Sequence, residues 1–428
     1  MKSKILAIRE LIRNFLSLAG AEVLAKLITF AVFAYIARLA GPAGYGYIEW
    51  AAAILMCASL IVDQGFSGYG SREIARDPAQ TERVVREIVT ARVLLAGLGY
   101  AAIAAFAFFF VRDSRVFDLL LVYGLSLWAL PFVMQWVFQG HDKMNLVAVT
   151  QVIRQITFAA VVLSFLRTPD DLLAVGFAEV AAAAAAAAFS VWIYRTKILR
   201  TRFELRPAVS ARLFREGVPI GLSQMFWVVR MFGATLILGL VATSEDTGYF
   251  AGALRVLIAL HTFVWLYFFN LFPSLSRAWA TNPGEFTRLI RNSMLLVCLI
   301  SAPVGLVWVV AAPTAITFIY GPAFSIAGSS LQWMAGICVA AALSGHFRFG
   351  LIAAGYQNRE MFCSALGAVS AVVLVPLWYL RAGPGGAAAG LFVAELLVLL
   401  ASWIFAKKIL ESVGSTEPRL NEFPEVVR

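Results

Sequence analysis

Charge is what this chain has least of. Only 14% of its 428 residues are Asp, Glu, Lys or Arg, against about a quarter in a typical soluble protein. With 61% hydrophobic residues and a mean hydropathy of +0.81, a water-soluble fold could not cover so much apolar surface. The bilayer must be part of the solvent. That excludes a soluble enzyme, a nucleic-acid binder and a disordered scaffold. The four cysteines, Cys57, Cys298, Cys338 and Cys363, all lie in apolar segments at no metal-binding spacing, so they read as small packing residues. There is no phosphate-cradling Gly-Lys-Ser/Thr loop, no metal-spaced His/Cys cluster and no nucleophile elbow. ATP hydrolysis is excluded, no cofactor is expected, and energy must come from an ion gradient, Na⁺ or H⁺, or from the passenger's own gradient.

What is there is a succession of apolar runs. A span needs roughly 20 mostly apolar residues, and twelve candidates lie near 15–37, 46–66, 88–111, 116–138, 145–166, 172–194, 217–241, 248–272, 290–312, 331–353, 360–380 and 385–406. Pro131, Pro303 and Pro376 fall inside spans, where proline commonly bends a helix. The fold class is therefore an all-α polytopic membrane protein. With the N-terminus inside, 24 of the 35 Lys and Arg fall in inside segments and five outside, the asymmetry of the positive-inside rule. Both termini are then cytoplasmic and the net charge of +10 is a topology signal, with no nucleic acid implied. Residues 1–14 interleave Lys2, Lys4, Arg9 and Arg13 with Ile5, Leu6, Leu11 and Ile12. They read as an amphipathic helix on the inner surface, retained in the mature protein.

Residues 15–194 would form one six-helix half and 217–406 the other, joined by a basic cytoplasmic linker, 195–216, and followed by a cytoplasmic tail, 407–428. Gly46-Tyr47 opens the second span and Gly248-Tyr249 the eighth, 202 residues later, the parallel-repeat pattern of some transporters. The run Ala181 to Ala188 serves equally as a smooth packing face or a lipid-facing stretch.

Ionisable residues inside spans carry the functional information. Lys26, Arg154 and Arg230 fall near mid-span, Arg255 in the outer third of its helix, and Arg92 and Arg348 toward the inner side. A lipid-facing Lys or Arg at mid-membrane costs about 2.5–3.5 kcal/mol on insertion scales. Three would cost on the order of 8–10 kcal/mol, comparable to a whole net stability, so they must face protein or a wet cavity. Helical spacing agrees: Glu22, Lys26, Thr29 and Phe33 share one stripe, Ser223, Trp227, Arg230 and Ala234 a second, and Gln151, Arg154, Gln155 and Phe158 a third. The structural alternatives stay open. Lys26 can be neutralised by Glu22, Arg154 by Glu179, and Arg92 and Arg348 can snorkel to the interface. Arg230 and Arg255 have no acid within a turn on their own helices and are favoured as anion contacts, since the arginine fork suits phosphate. Glu22, Asp63, Glu179 and Glu395 are candidates for ion coupling or charge balance, with Glu49 near the outer edge. His261 and His346 read as satisfied buried residues.

The stretch Leu39 to Arg76 carries Gly41, Pro42, Gly44, Tyr45, Gly46, Asp63, Gly65 and Phe66 in the arrangement Leu-Gly-Pro-x-Gly-[FY]-Gly, apolar span, Asp-x-Gly-[FL]. It resembles the opening signature of the polysaccharide-biosynthesis exporters. Thr247 to Leu257, Leu271 to Ser276, Ile319 to Pro322, Ala354-Gly355 and Gly383 to Gly390 extend the likeness along nearly the whole chain. The resemblance implies a Wzx-type oligosaccharide flippase of the multidrug/oligosaccharidyl-lipid/polysaccharide exporter superfamily, with two six-helix lobes around a central cavity. It implies no enzyme but a transporter in the bacterial inner membrane. That transporter would move a polyprenyl-pyrophosphate oligosaccharide between leaflets by alternating access, for cell-surface polysaccharide such as O-antigen. The passenger and membrane lipids would be its partners, with a downstream polymerase as a further one. On that architecture Lys26, Arg230 and Arg255 lie on cavity-lining helices, and Arg154 and Trp227 join them as substrate contacts. The competing readings are a cation-coupled drug antiporter of the same superfamily and, from another class, a membrane-embedded glycan polymerase or ligase. The outside loops are short for the latter.

Overall fold

A computed structural model describes the backbone of residues 2–198 and 211–414. Side chains are described within 25–198 and 212–409, apart from positions 219, 220, 223, 224, 227 and 283. The side chains of 1–14, most of the linker 195–216 and the end of the tail 407–428 lie outside these residues, as do the side chains of Glu22 and Trp227.

Every described element is helical: α1 (Lys2–Asp63), α2 (Phe66–Arg76), α3 (Thr81–Phe110), α4 (Ser114–Leu125), α5 (Gln135–Gly140), α6 (Met144–Phe165), α7 (Leu173–Ile193), α8 (Ala211–Val241), α9 (Ser244–Thr281), α10 (Pro283–Tyr320), α11 (Ala327–Ala353) and α12 (Gln357–Gly414). The apolar stretch Ala25–Arg76 is 52 residues long, about 78 Å at 1.5 Å per residue. A hydrocarbon core is only about 30 Å thick, so this stretch must cross twice. The break is Gly41, at φ 67°, followed by Pro42. A positive φ is open to glycine at little cost, and a proline at the first position of the next helix lacks only an N–H that would be unpaired there anyway. The same device, Gly383 at φ 61° followed by Pro384, breaks α12, whose apolar stretch runs from Gln357 to Ile409.

Nine stretches among the described residues are long and apolar enough to cross. The two broken ones each supply a second crossing, and α8, with its shorter apolar part Val228–Val241, supplies one more. The result is consistent with the twelve spans expected. The fourth, Ser114–Gly140, is interrupted at the proline expected to bend it. Around Pro131 it is a broken segment, α4, short 3-10 turns at Ser126–Trp128 and Leu130–Phe132, then α5. Proline there removes a backbone donor and crowds the preceding turn. Pro303 and Pro376, by contrast, sit within continuous α10 and α12.

The chain divides into two compact units, residues 1–255 with 315–327, and 256–314 with 328–428. These units are defined by packing and do not coincide with the repeat boundary expected at 195–216. In the first, α1 packs along α3, α6 and α8, and α6 along α7. Within the alanine run Ala182, Ala183, Ala186 and Ala187 are buried while Ala184 and Ala188 are exposed, so one face packs and the other is outward. A core around Phe66, Ile88, Trp136, Phe138 and Leu213 is buried in this unit. The second unit has its own cluster of Leu275, Ala278, Phe286 and Ile290. His346 is buried there, its Nδ1 2.8 Å from the Ala342 carbonyl and its Nε2 3.0 Å from the Tyr267 hydroxyl. Large apolar side chains such as Phe108, Phe109, Phe110, Leu299, Val310 and Phe318 point outward, as a lipid-facing surface requires.

Candidate functional site

Two polar stripes separated by more than a hundred residues meet in the first unit. The Thr29 hydroxyl of α1 lies 2.9 Å from Gln155 Oε1 of α6, and one turn further along, Phe33 stacks on Phe158 with ring centroids 5.5 Å apart. Tyr35 donates to the Leu166 carbonyl at 2.9 Å and ties the end of α6 to α1. Arg154, on the same face of α6, is paired with Glu179 of α7, the partner its position in the sequence allowed.

The Phe33 ring also carries a cation. Arg255, eleven residues into α9, places its Cζ 3.3 Å from the ring centroid, the geometry in which a guanidinium is drawn to an aromatic face. Its Nε and Nη2 lie 2.8 and 2.6 Å from one oxygen, Oε1 of Glu49, on the second arm of α1. Arg255 exposes 20% of its side chain, whereas Glu49 exposes only 9%. Tyr45 and Tyr320 flank the pair, their rings 6.0 Å apart, and Phe324 closes over both. The two phenol hydroxyls are buried; that of Tyr45 is within hydrogen-bonding reach of Glu49, and that of Tyr320 within reach of Tyr45. Buried Tyr123 is within reach of Glu49, Arg255, Arg154 and Glu179 alike. The centre is thus a cluster of two cations and two carboxylates lined with aromatic rings.

The other site candidates are distributed differently. Asp63 does not join the cluster. Near the start of α2 it accepts from the Ser67 hydroxyl at 3.0 Å and the Ser67 amide at 3.3 Å, and it pairs with buried Arg92, which also stands over Trp136. Arg348 is held by Glu360 at 2.9 Å and by Ser364 at 2.8 Å. Each of these two arginines has a carboxylate partner near a helix start. Glu395 is buried in the second unit, 3.2 Å from the Ser344 hydroxyl. Arg230 is buried at 3% exposure, and Lys26 is exposed. Among the described residues no group of three His, Cys, Asp or Glu side chains could hold a metal ion.

Tyr45, Tyr320, Tyr123 and the pairing of Glu49 were not legible as site features. Helical periodicity finds neighbours on one helix only, and Glu49 is 206 residues from Arg255. The one available signal was Glu49 itself, an acid placed one turn after Tyr45 in an apolar span.

At one loop outside the spans Asp113 caps α4 by accepting from the Arg115 amide at 2.9 Å, and the Tyr47 hydroxyl donates to it at 3.0 Å. Partial burial acts to raise its pKa, and the hydrogen bonds from Arg115 and Tyr47 outweigh it, so the carboxyl titrates below its ordinary range.

A protein from Shigella dysenteriae named "Putative O-antigen transporter" is 24% identical over 382 residues, covering 87% of this chain and 94% of its own. One of the same name from Escherichia coli strain K12 is 20% identical and covers 92% and 96%. Among solved structures, an inward-facing multidrug resistance MATE family transporter of the MOP superfamily aligns with a TM-score of 0.77 at 13% identity, covering 92% and 96%. The lipid II flippase MurJ aligns at 0.69 with 13% identity, covering 92% and 89%. These structural likenesses establish an all-α membrane fold of the MATE and MurJ kind. The model of the family described as polysaccharide biosynthesis protein matches residues 11–279, more than half of the chain, which belongs to that family.

Proposed function

We propose that this protein is a flippase that carries a polyprenyl-pyrophosphate-linked oligosaccharide across the bacterial cytoplasmic membrane for cell-surface polysaccharide biosynthesis. The observation that carries the reading is Arg255, a cation in the membrane interior, stacked on Phe33 and exposing a fifth of its side chain. A guanidinium in low dielectric attracts a phosphate strongly. Family membership and relatives named as O-antigen transporters supply the substrate class. No step of bond chemistry is needed, and the chain acts as a transporter.

In this reading Arg255, Arg230, Lys26 and Arg154 contact the diphosphate at different stages, Trp227 and the aromatic lining meet sugar, and the polyprenyl tail stays in lipid. Glu22, Asp63, Glu179 and Glu395 balance charge or couple the cycle to a Na⁺ or H⁺ gradient. Both termini face the cytoplasm, the Gly41 and Gly383 turns face outward, and a polymerase receives the product.

The test is reconstitution in liposomes with a labelled polyprenyl-pyrophosphate sugar, wild type beside Arg230→Ala and Arg255→Ala. Movement lost in both variants supports the function and the site. Movement retained in both keeps the function and removes the site. No movement by wild type, with a cationic dye exported against an ion gradient, turns the reading to a drug antiporter.

A further inference from the structure

Arg255 is already occupied. Both donors on one edge of its guanidinium are taken by a single carboxylate oxygen of Glu49. A carboxylate and a phosphate present the same kind of acceptor to an arginine fork, so the position Glu49 Oε1 holds is one that a diphosphate oxygen would otherwise take. The two residues are also unequally sheltered: Glu49 is buried, and Arg255 is open along part of its length.

We infer that Glu49 is an internal competitor for the diphosphate at Arg255, displaced when the passenger binds and held by the Tyr45 hydroxyl, which Tyr320 supports. This deepens the function proposed above and rests on it for the identity of the anion.

The tyrosines are what make displacement feasible. A carboxylate that loses its only cation inside a membrane would carry a heavy desolvation penalty, and the exchange would then favour the closed pair. Tyr45 and Tyr320 remove that obstacle. Both are buried and both flank the pair. The Tyr45 hydroxyl is within hydrogen-bonding reach of Glu49, and that of Tyr320 within reach of Tyr45, so the carboxylate keeps a buried phenolic donor when the guanidinium leaves it. Tyr45 stands one turn before Glu49 on the same helix arm, so a change of side-chain rotamer suffices and the backbone need not move. Phe33 holds the guanidinium plane through the exchange. The substrate-free protein thus keeps its phosphate contact neutralised in the low dielectric, and the charge is released only to an anion that competes with the carboxylate.

The experiment uses the full chain in nanodiscs and farnesyl diphosphate as the probe, with binding measured by calorimetry. Glu49→Gln is expected to bind about tenfold more tightly than wild type, because the amide no longer competes as an anion. Glu49→Asp, which retains charge but falls short by a methylene, should tighten binding to a smaller degree and serves if the amide variant does not fold. The pair Tyr45→Phe with Tyr320→Phe should weaken binding about threefold to tenfold in the wild-type background and have no effect in the Glu49→Gln background.

Unchanged or weaker binding by both Glu49 variants overturns the inference, as does a tyrosine effect that persists when Glu49 is Gln, or no binding by any form. The liposome assay separates this outcome from the function itself. Lipid-linked sugar moved by wild type without tightening in the Glu49 variants removes the competitor and leaves the flippase. Tightening without any movement of lipid-linked sugar by wild type leaves a competed anion site and removes the flippase.

Discussion

Gly46 and Gly248 lie back to back: a β-carbon on Gly46 would run into the carbonyl oxygen of Ser244, and one on Gly248 into that of Pro42. Pro42 precedes Gly46 by four residues and Ser244 precedes Gly248 by four. Each glycine is therefore met by the carbonyl one turn before the other, the reciprocal contact a local two-fold axis produces. The 202-residue echo of Gly-Tyr falls at this contact. Small residues let the two backbones touch where a side chain would hold them apart.

Gly46→Ala and Gly248→Ala should each destabilise the protein by about 1–3 kcal/mol, the cost of overpacking a tight contact. The obstacle is backbone on both sides, which cannot rotate away. Gly99→Ala in α3 is the contrast: the nearest atoms to its β-carbon position are Leu127 Cδ1 at 3.4 Å and Val62 Cγ2 at 3.7 Å, ordinary contacts, and alanine is favoured over glycine inside a helix by about 1 kcal/mol. Thermal unfolding in detergent, read by tryptophan fluorescence, should rank the crossing variants below Gly99→Ala. Equal shifts for all three would show that the crossing is not tightly packed.

Arg154 and Glu179 provide a second test, at a pair whose side chains are 35% and 15% exposed. Removing one partner strands the other in a low dielectric, so Arg154→Gln and Glu179→Gln should each cost about 1–3 kcal/mol. The double variant should cost less than the two combined, by a coupling energy of at least about 1 kcal/mol. Additive losses would mean that the two charges do not sense each other in the membrane-embedded protein.

How far the site could be read from residues alone is clear at Thr29 and Gln155. Each belongs to a stripe found by helical spacing, because i, i+4 and i+7 positions share a face in any helix. That the two faces meet is a tertiary fact, set by the packing of α1 on α6, and no periodicity contains it. The same limit explains the cations. Arg92, Arg154, Arg255 and Arg348 each have a carboxylate partner on another helix or helix arm, so the interior is less positive than a count along each span suggests. The Gly-Pro breaks at 41–42 and 383–384, by contrast, were legible because glycine and proline act through their own backbone chemistry. The glycine echo was visible too, but what it does, each glycine meeting a carbonyl of the facing helix, required coordinates.

Asp113 offers a test by acid. Its folded pKa lies below the ordinary carboxylate value through hydrogen bonds from Arg115 and Tyr47 that outweigh partial burial. For a carboxyl with a depressed folded pKa the unfolded chain binds the proton first, so the native state is favoured wherever the carboxylate is ionised. That contribution is fully present above about pH 4 to 5, the range of an ordinary unfolded carboxyl, and is lost as pH falls through the folded value. Replacement by Ala also removes the α4 cap, at a cost of about 1 kcal/mol. Asp113→Ala should therefore unfold at a lower temperature than wild type at pH 7, with the gap between them closing as the pH is taken down toward 3. Tyr47→Phe, which deletes one donor and leaves the cap amide in place, should show a smaller gap with the same direction of closure. A gap that stays constant between pH 7 and pH 3 would mean that the carboxylate form of Asp113 is not what the cap depends on.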